Sequence, residues 1–365
     1  MQAIFLTEVF SLFKSRRPPL EFSGQFENIC RILRDDPSTM MRASSEPLSE
    51  DSFRQPEFGL GPFCIYMESK QRLLLSCYLL VQQCNSLFGR SHDIDIPGLC
   101  SNLPFPSSQT TWDDLTGMQP SHNTSTERTA DIFRILQCNG PPQQRFGAFQ
   151  SSLMVAWLCD DSNDCMGSAN DYQTLAFAME QSARTKLIYH TAMMCKNTPH
   201  LRDLLAVAGE SWVMGEKLST ETLFFASQVE VRKWVSGGYG NSQMIQEAVS
   251  HALEILAIHQ QTPKTGLLYQ EWAVYLAAVV IWARAYVCFD ERIVGSALTT
   301  TQLESSVSKI AKGHGSVSYA EAHNILLWTQ TKLQQVDVPH TCGLVSGALD
   351  VLGKLVARGS EDGWA

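Results

Sequence analysis

Between Trp272 and Ala283 the chain carries no charged residue, and Glu271 and Arg284 close the run at either end. The segment falls well short of the roughly 20 apolar residues that span a bilayer. It is nevertheless apolar around the whole circumference of a helix, the pattern of a helix enclosed by others. Such a segment is stable only if other elements, each with one apolar face, surround it.

The rest of the sequence supplies those elements. Phe5, Val9, Leu12 and Phe13 have helical spacing within residues 4 to 13, ahead of Lys14-Ser15-Arg16-Arg17 and Pro18-Pro19. Leu73, Cys77, Leu80, Val81, Cys84, Leu87 and Phe88 predict a helix from about Tyr66 to Phe88, ended by Gly89. Tyr172, Leu175, Met179, Ala183 and Leu187 mark a further stripe, and Phe224, Val231 and Trp234 another that stops at Gly237-Gly238. Residues 244 to 259 put Ile245, Ala248, Val249, Ala252, Leu253, Leu256 and His259 on one face before Thr262-Pro263. Ser318 and Glu321 form a capping-box pattern ahead of Ile325, Leu326 and Leu333, and Leu344 to Val356 is a last amphipathic segment. No stretch alternates convincingly with period two, so the predicted fold is all-α, and the length allows two domains or one large helical domain. Pro, Ser and charge place long irregular loops at about 35–62, 100–124 and 138–147.

Charge and cysteine content narrow the partners. The 28 Lys+Arg against 37 Asp+Glu give a net charge of −9, which removes any whole-molecule attraction to nucleic acid or an anionic membrane. Eleven cysteines, an odd number in a long chain, read as reduced thiols in cytosol or nucleus rather than a disulfide framework. The opening Met1-Gln2-Ala3-Ile4-Phe5-Leu6 has no basic start and meets Glu8 early, so it does not read as a secretory signal.

Motifs with chemistry are sparse. No C-x-x-C occurs, and Cys77/Cys84 and Cys159/Cys165 are wrongly spaced for a zinc site. H-E-x-x-H, the phosphate-binding loop, G-x-G-x-x-G and G-x-S-x-G are absent. Asp160-Asp161-Ser162-Asn163-Asp164 has the D-D-x-x-D form that holds magnesium against a diphosphate in all-α isoprenoid enzymes. Its expected second metal-binding helix is missing, so an acidic, solvated helix end is the preferred reading. His92, His190, His200, His251, His259 and His323 are read as core or surface residues, with no i, i+4 carboxylate pairing arranged for metal or proton transfer. Lys14, Arg16 and Arg17 are read as a basic helix end, Glu68 and Arg72 as a surface pair, and Trp272, Tyr275, Trp282 and Tyr286 as packed core.

Four segments, in order along the chain, resemble the fungal-specific transcription factor domain. The stretch from Gln2 to Phe13, with Phe26-Glu27-Asn28-Ile29-Cys30-Arg31, is similar to the version that follows paired classical zinc fingers. Glu68-Ser69-Lys70-Gln71-Arg72-Leu73, Leu87-Phe88-Gly89-Arg90, Asp95-Ile96-Pro97 and Leu103-Pro104-Phe105-Pro106 with Trp112 resemble its best-known stretch. Glu271 to Ala278 with Trp282-Ala283 resembles its C-terminal core helix, and Val351-Leu352-Gly353-Lys354-Leu355-Val356 near Trp364 its ending.

The resemblance implies a nuclear transcriptional regulator, controlling a metabolic or secondary-metabolite gene cluster, without catalysis and with coregulators or the transcription machinery as partners. Self-association is compatible with it; a membrane is not implied. The chain holds no DNA-binding zinc domain, so DNA contact and zinc are expected only through a finger region or partner outside it. No catalytic, cofactor or metal residues are assigned. The alternatives are a fingerless helical interaction module without direct DNA binding, and a magnesium-dependent isoprenoid enzyme using Asp160, Asp161 and Asp164.

Overall fold

The computed structural model describes residues 1–15, 18–19, 21–36, 39, 60–90, 103–108, 128, 131–132, 135–136, 145–160, 169–214, 216–236, 241–288, 317–336 and 342–358. Among these are twelve helices, the first seven being α1 (Gln2–Lys14), α2 (Gly24–Asp35), α3 (Leu60–Phe88), α4 (Ala148–Cys159), α5 (Ala169–Ala178), α6 (Ala183–Lys196) and α7 (Leu201–Ala208). A two-stranded hairpin follows, β1 (Trp212–Val213) antiparallel to β2 (Glu216–Lys217), with Trp212 opposite Lys217. Then come α8 (Glu221–Val235), α9 (Asn241–Gln261), α10 (Gln270–Cys288), α11 (Tyr319–Gln334) and α12 (Gly343–Arg358). The fold is all-α, and none of these helices is long and apolar enough to cross a membrane.

The resemblance implies a single helical domain over residues 1–365, and the described residues fall into two compact units. The first holds the described residues within Met1–Glu8, Glu21–Gln83 and His92–Tyr189, and the second those within Val9–Leu20, Cys84–Ser91 and His190–Ala365.

In the first unit, α2 is amphipathic because Phe26, Ile29, Cys30 and Leu33 recur at three and four and are all buried. Ser23 caps it, accepting from the Phe26 N–H at 3.2 Å. The buried Glu8 carboxylate reinforces that end: the Ser23 N–H and hydroxyl donate to it at 3.0 and 2.7 Å, setting an anion at the positive pole of the helix.

Helix α3 begins at Leu60, earlier than the predicted Tyr66, and Pro62 falls in its first turn, where a missing N–H costs nothing. The predicted loop 35–62 is corrected at both margins, since Asp35 closes α2 and residues 60–62 open α3; its interior lies largely outside the described residues. The stripe from Tyr172 to Leu187 is likewise not one helix. Phe146 exchanges backbone hydrogen bonds with Ala178 and Glu180 at 2.9 Å, drawing the chain out of helical geometry, and Ser182 then caps α6 by accepting from the Thr185 N–H at 3.2 Å.

The second unit is built around α10, which packs against α7, α8, α9, α11 and α12. Every residue from Trp272 to Ala283 is buried, as the uncharged run predicts. Helix α9 turns Ile245, Ala248, Ala252, Leu253, Leu256 and His259 inward and ends at Gln261. Ser318 and Glu321 form the predicted capping box, with Glu321 Oε2 accepting from the Ser318 N–H at 2.8 Å and Ser318 Oγ accepting from the Glu321 N–H at 3.3 Å.

Gly89 stops α3 in the left-handed region at φ 59°, and a Cβ there would stand 2.8 Å from the Arg202 backbone nitrogen. Two tryptophans and an arginine satisfy helix-end carbonyls. Trp272 Nε1 donates to Leu87 O at 2.9 Å, Trp234 Nε1 to Asn197 O at 3.2 Å, and Arg284 Nη1 to Val235 O at 2.9 Å. Trp272 also meets Phe88 edge-on at 5.7 Å and Tyr275 at 4.8 Å. Trp272, Tyr275 and Trp282 are therefore packed core, while the Tyr286 side chain lies outside the described residues.

Candidate functional site

Each unit contains a polar cluster within its packing. In the first, Glu68 and Arg72 are one helical turn apart on α3 and form an ion pair, Arg72 Nε to Glu68 Oε1 at 2.9 Å. The surface reading of this pair is corrected: their side chains are only 10% and 13% exposed, because Ser107 closes over them. The Ser107 N–H donates to Glu68 Oε1 at 3.1 Å, its hydroxyl donates to the same oxygen, and Arg72 Nη2 donates to Ser107 O at 2.6 Å. Gln150 on α4 donates to Pro106 O at 2.9 Å, tying the same short segment down from another side. The cluster ties the segment 103–108 to α3 and α4.

Asp160 caps the C-terminus of α4, and its Oδ2 accepts from Tyr78 Oη and Gln82 Nε2, both at 3.1 Å. The solvated reading of this helix end is therefore corrected at Asp160, whose carboxylate is held by two α3 side chains. Asp161 and Asp164, like Arg16, Arg17, Trp112 and Trp364, lie outside the described residues.

The second unit buries neutral rings. His259, on α9, accepts at Nδ1 from Gln270 Nε2 at 2.9 Å. The donor sense is forced, because the same amide nitrogen donates to Pro263 O at 2.6 Å while Gln270 Oε1 accepts from the Thr265 N–H and hydroxyl, each at 2.8 Å. The His259 proton therefore sits on Nε2. Burial, with a smaller contribution from the Lys332 charge, lowers its pKa to about 4. The ring meets Trp328 edge-on at 5.9 Å.

His190 on α6 and His251 on α9 place their Nδ1 atoms 2.9 Å apart. The ring centroids are 5.2 Å apart, longer by about one ring radius on each side, so the two nitrogens meet head-on. Such a contact needs one N–H and one bare nitrogen, and which ring donates depends on the tautomers. Burial lowers the His251 pKa to about 4, against a smaller opposing pull from the Glu247 carboxylate. Glu247 precedes His251 by four residues on α9, a spacing legible in the sequence, whereas the approach of His190 is not.

His200, Asp203, Ser227, Glu230 and Lys233 form a half-exposed chain of polar contacts. Ser227 Oγ donates to Asp203 Oδ1 at 2.7 Å, and His200 faces Asp203 at 3.5 Å. Among the described residues, no group of three or more His, Cys, Asp or Glu could hold a metal ion. No family model, curated protein or solved structure matches the chain.

Proposed function

We propose that the chain is the regulatory domain of a fungal transcriptional regulator, acting on coregulators or the transcription machinery rather than catalysing a reaction. The observation that carries the reading is the order of the four resembling segments along the sequence. It is supported by the all-α fold: Gln2–Phe13 forms most of α1, Glu68–Leu73 lies within α3, Glu271–Ala283 within the enclosed α10, and Val351–Val356 within α12. In this reading the domain shifts between arrangements that expose or cover a partner surface, and a partner or pathway metabolite that favours one arrangement sets the output. DNA is reached through a finger region or partner outside this chain, in the nucleus.

The test joins residues 1–365 to a heterologous DNA-binding domain upstream of a reporter, and follows the tagged chain in the cell. The expected result is nuclear accumulation and reporter output clearly different from that of the DNA-binding domain alone. Unchanged output with a stably cytosolic chain overturns the reading and favours an interaction module without a transcriptional role.

A further inference from the structure

We propose that the outer face of α8 is a docking surface for α8 of a second copy of the chain, the two helices lying antiparallel across a two-fold axis. Helix α8 packs on α7, α9 and α10, and it buries Ser227, Val231, Trp234 and Val235. The opposite side, followed at steps of three and four, carries Thr222, Phe225, Ala226, Val229, Arg232 and Lys233. All of these are exposed except Val229, which is half-buried. Phe225 leaves 65% of its surface in water, so the middle of this outer face is apolar where a purely solvated helix would be polar.

The order of charge along the helix selects the occupant. Glu221 opens α8 and Arg232 and Lys233 close it, with the apolar stripe between them. A face of one sign calls for a partner of the other sign, but this face carries both, in an order that is its own complement when reversed. A second α8 laid antiparallel, with the axis level with residue 227, sets Glu221 against Lys233 of the second copy at both ends. It also sets Phe225 against Val229 of the second copy, with the small Ala226 beside each ring leaving space for the other. A parallel pair would instead bring like charges together at each end. Lys233 donates to Glu230 of its own helix at 2.7 Å and is 64% exposed, which leaves its other N–H bonds open toward a carboxylate across the axis. The helix has 15 residues and is about 22 Å long, so the contact belongs to the small, reversible class of interface. The pairing holds whether or not the domain regulates transcription.

The test is analytical ultracentrifugation of the full chain over a concentration series, with F225D, E221K, K233E and the double variant E221K/K233E run alongside. The expected result is a reversible monomer–dimer equilibrium, half complete at on the order of tens of micromolar. F225D should weaken it about a hundredfold, because two carboxylates are then pressed into the apolar centre. Each single charge reversal should weaken it about tenfold, and the double variant, which exchanges the two ends, should return to within about threefold of the wild type. E221K is the most telling single change. It reduces the net negative charge, which by itself favours association, yet the pairing requires weaker association. Should F225D fail to give a native melting transition, the three charge variants carry the comparison. A chain that stays monomeric to the highest concentration overturns the proposal and leaves the face to a different protein. A dimer that F225D leaves intact, or a double variant as weak as the single ones, overturns it equally.

Discussion

The polar interior of the first unit and that of the second solve one problem in opposite ways. Glu68 and Arg72 bring opposite charges together and have Ser107 supply further hydrogen bonds, so charge is matched by charge. Burial lowers the pKa of His259 and His251 to about 4 and so keeps them neutral near pH 7, and each ring makes a hydrogen bond through Nδ1. A matched ion pair is vulnerable to the loss of a partner, because the remaining charge is stranded away from water. A buried neutral histidine is vulnerable to a proton, which turns an acceptor nitrogen into a second donor.

The contrast can be broken most forcefully at Arg72. Arg72→Met should lower unfolding stability by about 3–4 kcal/mol, read as a drop in the urea midpoint, because Glu68 is left enclosed without its cation. Gly89→Ala should cost about 2–3 kcal/mol through its left-handed backbone and the close Arg202 nitrogen. That loss should be the same at pH 7 and pH 5, which separates backbone strain from titration.

Acid sharpens the other side. His259 has its pKa lowered to about 4 from an ordinary value near 6.5, so between those values the unfolded chain binds the proton and the folded chain does not. Stability is complete above pH 6.5 and declines as pH falls toward 4. His259 alone should contribute about 2 kcal/mol of loss at pH 5 relative to pH 7. His259→Gln should remove that part of the pH dependence in paired urea titrations, and an unchanged slope would contradict the neutral buried ring. The smallest effect is expected at Ser318→Ala, about 1 kcal/mol from the lost α11 cap, visible as a slightly lower melting temperature at any pH.

Much of this architecture is readable locally. The uncharged run Trp272–Ala283, the Ser318/Glu321 box and Gly89 each act within a few residues, and each stands where the sequence reading puts it. The start of α3 and the break between α5 and α6 are read less well. Pro62 is tolerated because it falls in a first turn, and the break depends on hydrogen bonds from Phe146, more than thirty residues upstream. The polar clusters follow the same logic. His259 is legible as a member of the inward face of α9, but its partner Gln270 lies across a helix break, and the contacts of Ser107 with Glu68 and of His190 with His251 join residues 39 and 61 apart in sequence. Periodicity reports which face is buried, not what it meets.

The Trp272 indole, which donates to Leu87 O, has a consequence for how α3 opens. The final turn of a long helix ordinarily frays, and its amides exchange with solvent many times before the molecule unfolds. Here the last carbonyls are latched to α10, the most enclosed helix of the second unit, and Phe88 is wedged against the same ring. Amide exchange near Leu87 and Phe88 should therefore be as slow as in the middle of α10, making the end of α3 part of that cooperative unit rather than a loose terminus.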